Sequence, residues 1–297
     1  MIALTKRNIL LFFRDKMAVF FSMLAVLIII GLYLLFLGDA WTGDFPDQEA
    51  AAKMMSAWIM AGLIAVSGFT TTLGAYGTLI DDKSFKIEKD FLSAPVKRSH
   101  IATGYILSGF IISIIMALVT LLIAEGFIVL KGGELLSPAA MLKMVGLIFL
   151  SSFMSVPIIQ LLVTFIKTSS TFSAFSSIIG TLIGFLTGIY IPIGQLPSGV
   201  QHLIRLFPVS HVASLARQIM MEKPLQDVFS GAPTPQLRAD METFLGVTYT
   251  IGGHQITPLM SIVYIILTGI VFFIIDILLI SKRKHKKTSA FLRQSNF

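Results

Sequence analysis

The run IATGYILSGFIISIIMALVTLLIAEGFIVL, residues 101–130, carries a single charged side chain, Glu125, in 30 residues. A helix rises ~1.5 Å per residue, so about 20 apolar residues cross the ~30 Å of hydrocarbon in a bilayer. The run is continuously apolar rather than alternating, which excludes a barrel strand. In lipid an isolated backbone segment satisfies its own polar groups only as a helix. Five further runs share this character: Met17–Leu37, Ala57–Ile80, Ala140–Ile166, Phe172–Ile193 and Pro258–Ile280. The expected fold is therefore all-α and integral to a membrane, with six transmembrane helices.

Composition points the same way. The chain is 55% hydrophobic and 13% charged, with a mean hydropathy of +0.84. A soluble domain carries about 25% charged residues, so this chain lacks the polar shell that water requires. The first run is uncharged over 21 residues, Met17 to Leu37. A cleaved signal core is about 7–15 residues, so the run reads as a retained span. There is no cysteine, which excludes disulfides and thiolate metal sites. The five histidines show no metal-ligand spacing, and His202 and His211 are not a metal pair.

The net charge of +7 lies between the apolar runs and in the tail, so it reports topology rather than nucleic acid. With the N-terminus cytoplasmic, the inside segments hold 16 of the 23 Lys and Arg residues. Both termini are then inside. The longest stretch between spans, Lys223–Thr257, falls outside. Its first half reads as loop, Leu237–Leu245 as a short helix, and Thr248–Thr250 with Gly252-Gly253 as a turn or hairpin. No internal repeat is evident, so residues 1–297 read as one membrane domain.

Three segments between the spans carry more information than connectors need. Residues 1–16 mix Ile2, Leu4, Ile9, Leu10, Phe12 and Phe13 with Lys6, Arg7, Arg14 and Lys16. As a helix this stretch is amphipathic and basic, suited to the membrane interface. Residues 81–100, DDKSFKIEKDFLSAPVKRSH, hold ten charged or His residues in 20, with Phe85, Ile87, Phe91 and Leu92 embedded among them. A short helix that docks into a partner's groove needs such apolar residues, and Pro95 stops it. Residues 185–222 are punctuated by Pro192, Pro197 and Pro208 and carry His202, Arg205, His211 and Arg217. The stretch Gly199–Met221 is too polar for a lipid-facing span. It suits short helices folded back against protein, or a surface helix outside the membrane.

Taken in order, these segments resemble the membrane subunit of type-2 ABC exporters, the ABC-2 permease family. The residues that carry the likeness are Glu88 to Val96 (EKDFLSAPV), then Pro192, Leu196-Pro197, Pro208 and the helix bearing Arg217. Lys223–Thr257 departs from any pattern of the family. The resemblance implies that Phe85, Glu88, Lys89, Asp90, Phe91 and Leu92 form a cytoplasmic coupling helix after span two, docked on an ATP-binding cassette ATPase. It implies that Pro192, Leu196, Pro197, Pro208 and Arg217 shape re-entrant helices at an outer gate, within residues 194–257. Two permeases, identical or related, would face two ATPase subunits. The chain holds no Gly-Lys pair and hence no phosphate-cradling GxxxxGK[ST] loop. It is expected to be no enzyme and to bind no cofactor; ATP and Mg belong to the partner. Direction, export rather than import, also comes from the resemblance.

Inside the spans, polar residues are few. Glu125 and Asp276 count out near the interfaces, where snorkelling or a salt bridge to a nearby Lys accounts for them. Thr71, Ser155, Gln160 and Thr181 represent hydroxyl- and amide-bearing clusters that either pack helices together or line a path. An ion-coupled carrier or channel would place an ionisable group near the midplane, and an intramembrane enzyme would show converging catalytic residues. The expected activity is ATP-driven efflux of an amphipathic drug, peptide or toxin, or lipid-linked molecule across the cytoplasmic membrane. The tail, residues 281–297, is either a basic anchor or a contact for anionic lipid.

Overall fold

A computed structural model describes residues 1–33, 47–230, 235–251 and 253–294, and side chains throughout these except at 25, 92, 98, 251 and from 280 onward. The first helix, α1 (Ile2–Arg14), is separated from α2 (Lys16–Leu32) by Asp15, whose side chain accepts the Ala18 N–H as an N-cap. Asp47 caps α3 (Gln48–Ala75) in the same way, through Ala50. After α3 the chain turns at Tyr76 and continues as α4 (Gly77–Ser84). Thr70, Thr71 and Thr72 donate to carbonyls one turn back, a pattern that bends helices. Lys86 then adopts φ 65 and starts α5 (Ile87–Ser93). Extended Ala94, the residue before Pro95, ends it.

Two long helices follow, α6 (Arg98–Leu130) and α7 (Pro138–Thr164). Ser137 caps α7, Pro138 occupies its first turn, and Pro157 lies inside it. Next come α8 (Ser169–Leu186), a 3-10 turn at Ile193–Gln195, α9 (Ser198–Leu206) and α10 (Pro208–Met220). The far stretch holds α11 (Glu222–Phe229), α12 (Pro235–Phe244) and a hairpin of β1 (Thr250–Ile251) and β2 (His254–Gln255). The last helix, α13, runs Pro258–Gln294. The short helix and the hairpin expected in this stretch are thus both present.

Among the described residues, five helices are long and apolar enough to cross a membrane: Gln48–Ser84, Ser99–Leu130, Pro138–Thr164, Ser169–Leu186 and Pro258–Leu279. The first of the six expected spans is represented by α2 up to Leu32, and the end of its apolar run lies outside the described residues. Boundaries differ from the hydropathic ones for a simple reason. A helix extends through polar capping turns that hydropathy does not register. Span two accordingly starts at Gln48 rather than Ala57 and continues past Ile80 to Ser84.

The bundle is organised around α3, which packs against α2, α6, α7 and α10. Its Met54, Trp58, Met60 and Leu63 share one hydrophobic cluster with Met144, Ile148 and Ile159 of α7 and Val209 and Val212 of α10. Lipid gives no hydrophobic drive between helices, so close fit and interhelical hydrogen bonds hold them. Ser67 pairs with Thr120 at 2.6 Å, and Ser113 with Ser152 at 2.9 Å. By contrast, α8 and the outer side of α13 are largely exposed.

Candidate functional site

One polar junction lies at the face that carries α1, α4 and α5. Thr5, Asn8 and Phe12 form the buried stripe of α1, while Ile2, Leu10, Leu11 and Phe13 are exposed. Thr5 and Asn8 of this helix therefore point into the protein, while several apolar residues point out. Thr5 donates to the Gly104 carbonyl at 3.3 Å, and Asn8 donates to Ser108 at 3.3 Å, so α1 is fastened along α6. Arg7 forks onto Asp82, Nη1 to Oδ2 and Nη2 to Oδ1, each at 2.7 Å. Such bidentate pairing is the strong form of the Arg–carboxylate bond. Asp82 is 2% exposed and also accepts from the Tyr105 hydroxyl at 2.5 Å. The ion pair holds the Arg7 guanidinium above its ordinary pKa, mainly through the hydrogen bonds it donates to Asp82.

The end of span two reaches further neighbours. Asp81 accepts from Ser169 of α8 at 2.9 Å, and Lys83 donates to the Val163 carbonyl of α7 at 3.4 Å. Just beyond, Phe85 is 72% exposed, Lys89 and Asp90 are exposed, and Glu88 is half-buried. Phe91 is half-buried with the Arg7 guanidinium 5.2 Å over its ring. The Leu92 side chain lies outside the described residues. The predicted docking residues thus occupy one short helix and its approach, with Phe85, Lys89 and Asp90 open to solvent.

A second constellation lies at the opposite face. Pro192 precedes the 3-10 turn, Leu196 packs beside Ile193, Ile204 and Tyr249, Pro197 leads into α9, and Pro208 opens α10. At ~1.5 Å per residue neither α9 nor α10 is long enough to cross ~30 Å of hydrocarbon. Arg217 of α10 is fully buried, and all its partners are neutral. Its Nη2 donates to the carbonyls of Thr187 (3.0 Å) and Gly188 (3.1 Å) at the end of α8, and Nη1 to Gly246 (3.4 Å). The guanidinium stacks 5.0 Å over the Trp58 ring, and Trp58 donates to the Leu245 carbonyl at 2.7 Å. One cation therefore ties together α3, α8, α10 and the turn after α12. Gly188 and Gly246 adopt φ +66 and +68, which turns their carbonyls toward it without Cβ strain.

His211 sits below, its Nε2 against the Arg205 carbonyl at 2.8 Å and its Nδ1 against Ser261 at 3.1 Å. A cavity of about 660 Å³ opens on this same face among Lys53, Glu134, Leu136, Met220, Lys223 and Asp227. An ion pair between Lys223 and Glu134 bridges it, and holds the Glu134 carboxyl below its usual range.

The four polar residues singled out inside the spans lie on three helices, Thr71 on α3, Ser155 and Gln160 on α7, and Thr181 on α8. Thr71 is buried, its hydroxyl bound to the Ser67 carbonyl at 2.7 Å. Ser155 and Gln160 are buried in α7, each with an oxygen that has no hydrogen-bond partner among the described residues. Thr181 is exposed on α8. Glu125 and Asp276 correct the expectation of salt bridges. Both are 4% exposed, and neither makes an ion pair among the described residues. Glu125 turns inward because it accepts the backbone N–H of Leu136, at 2.9 Å, in the loop after α6. Asp276 lies within electrostatic reach of the Tyr76 hydroxyl, and each has an oxygen without a hydrogen-bond partner among the described residues.

Sequence reasoning singled out Arg217 and the stretch that forms α5 but not Asp82, Tyr105 or Trp58. Their partners are 75, 23 and 187 residues away along the chain, so no local spacing announces them. The one available signal was Arg7, a cation on what reads as the membrane-facing helix.

Comparison with known proteins agrees with this architecture. Residues 39–278 match the family described as ABC-2 family transporter protein. Over 161 residues the chain is 27% identical to the linearmycin resistance permease protein LnrN of Bacillus subtilis (strain 168). That similarity covers 54% of this chain and 40% of the relative, so the chain spans well under half the length of the permease it matches. With a family match across most of its length, a multi-pass helical bundle and an open helix after span two, this chain belongs to the ABC-2 family of ABC transporter permeases.

Proposed function

We propose that this chain is the permease subunit of an ATP-driven exporter that moves an amphipathic compound, a drug, peptide or toxin, or lipid-linked molecule, across the cytoplasmic membrane. The observation that carries the reading is α5. It is a short helix set apart by the Lys86 reversal, braced from below by Arg7, with Phe85, Lys89 and Asp90 left open. An exposed Phe among charges fits the groove of a partner better than it fits water. The partner is an ATP-binding cassette ATPase, in two copies, which brings ATP and Mg. The face bearing α1 and α5 is cytoplasmic on the basic-residue balance. A second permease copy or paralogue packs beside α8. Closure of the ATPases would push α5 and open the far end, where Pro192, Leu196, Pro197, Pro208 and Arg217 shape the outer gate.

The relative's link to linearmycin resistance makes protection against a toxic compound the first activity to assay. The chain is co-expressed with a partner ATPase, purified and reconstituted, and compared with Phe85→Ala, Phe91→Ala and Asp90→Ala. The expected result is that wild type retains the ATPase and couples hydrolysis to efflux, whereas the variants lose one or both. Undiminished capture and efflux by all three variants would remove α5 from the mechanism.

One observation favours a second reading. Asp276 is a buried carboxylate inside a span, beside a Tyr76 hydroxyl that likewise lacks a hydrogen-bond partner among the described residues. Buried carboxyl groups inside spans serve proton relays in some transporters, although this one lies nearer an interface than the midplane. Flux driven by a proton gradient without ATP, and lost in Asp276→Asn, would establish it.

A further inference from the structure

The joint between span two and α5 is weak by itself. Helix α4 ends at Ser84, α5 begins at Ile87, and the chain reverses at Lys86 with φ 65. The bonds across the joint are local: Phe85 to Asp81, Lys86 to Lys83 and Lys89 to Lys86. A two-residue link with a left-handed lysine has little to fix the angle between two short helices. One side chain reaches both. Arg7 forks onto Asp82 in α4 with its edge and covers Phe91 in α5 with its face. The planar guanidinium alone among side chains offers a bidentate edge and a stacking face at once. Asp82 is fixed in turn by Tyr105 of α6, and α1 is fixed to α6 through Thr5 and Asn8. Leu4 also packs against Gly104, where any Cβ would collide with it.

From this geometry we infer that Arg7 is a positioning residue, a brace that sets the angle of α5 and transmits its displacement to α6. The inference rests on the exporter reading above. Without the brace α5 pivots at Lys86. The ATPase still docks and hydrolyses ATP, but its stroke is absorbed at the joint. Asp82 and Tyr105 form the anchor, and Phe91 is the contact through which α5 bears on Arg7. Glu88, half-buried on α5, lies within electrostatic reach of Tyr105 and faces the same anchor.

The test exploits a chain that has no cysteine. Spin labels at Lys89→Cys and Thr103→Cys report the α5–α6 distance, and a second pair at Leu135→Cys and Leu203→Cys reports the opposite face. Both are measured in nanodiscs on the full chain with its partner ATPase, with and without ATP plus vanadate. Wild type is expected to give a narrow α5–α6 distribution and a far-face distance that shifts on trapping. Arg7→Met is expected to retain the ATPase and hydrolyse ATP within about twofold of wild type. In that variant the α5–α6 distribution broadens and the far-face shift disappears. Arg7→Lys, a point charge without the fork, recovers part of the shift. Should Arg7→Met fail to insert, Phe91→Leu removes the ring and leaves the ion pair, and is expected to broaden the same distribution. An unchanged α5–α6 distribution in the variant that assembles overturns the brace, as does a far-face shift that survives. Loss of ATPase capture with a narrow distribution also overturns it, because Arg7 would then serve docking alone. If wild type captures no ATPase, the exporter reading fails first and the transmission inference falls with it.

Discussion

Arg217 is the residue whose burial most needs an explanation. A fully buried cation without a carboxylate is costly, and here helix-end carbonyls and an aromatic face offset the cost. The C-terminus of α8 carries a partial negative charge, which favours a guanidinium at Thr187 and Gly188. Replacing Arg217 by Met removes the desolvation cost but leaves the carbonyls of Thr187, Gly188 and Gly246 short of a donor. Each unsatisfied buried group costs ~1–3 kcal/mol before relaxation. The expected net loss is about 1–3 kcal/mol, read as a lower thermal midpoint in detergent, with Arg217→Lys intermediate because it cannot both fork and stack. A variant as stable as wild type would show that the cage is incidental. The sequence marks Arg217 as one of several polar residues in a segment too polar for a lipid-facing span, but its partners are backbone atoms, and backbone atoms leave no trace in composition. Arg7 shows the converse. Its position among other cations suggests lipid headgroups, whereas tertiary contact turns it onto Asp82.

Among the elements, span two reveals most about what hydropathy can see. Its apolar centre is plain from composition. Its capping turn at Asp47, its break at Tyr76 and its polar end at Ser84 are set by hydrogen bonds that hydropathy ignores. The reversal at Lys86 was likewise illegible, because nothing in a lysine predicts φ > 0. Small residues on α3 set how closely other segments approach. At Gly62 an added Cβ would collide with the Ile189 side chain and come within 3.3 Å of the Arg217 guanidinium. Gly62→Ala is therefore expected to cost about 1–3 kcal/mol, the usual range for overpacking. It should also weaken the Arg217 cage, so that combining it with Arg217→Met costs less than the sum of the two. A double-mutant comparison of thermal midpoints checks this, and strict additivity would separate the two sites.

For the molecule as a whole, the exposed face of α8 is the surface on which the proposed second copy is tested. Ser173, Ser177 and Thr181 stand four residues apart on that face, and each hydroxyl donates to the carbonyl one turn back. Internal bonding makes a hydroxyl tolerable in lipid, so polarity alone does not require a partner. Small side chains at one-turn spacing do, however, let a second helix approach closely. Lipid chains gain nothing from such a groove, and an exporter driven by two ATPases needs two membrane halves. The stripe is therefore expected to lie against a second permease. Because the chain has no cysteine, Ser177→Cys places the only thiol in the protein on this stripe. Mild oxidation in native membranes is expected to give a disulfide-linked dimer if the two halves are identical. The Cβ atoms of a disulfide lie about 3.5–4.5 Å apart, so the bond reports true contact rather than proximity. Cysteine at Leu267, which is 54% exposed on α13, provides the lipid-facing control and should remain monomeric. Equal cross-linking at both positions would mean random collision. None at Ser177 alongside intact efflux would mean that a related, non-identical chain fills the second place, and the same thiol would then capture that chain once it carries a cysteine opposite.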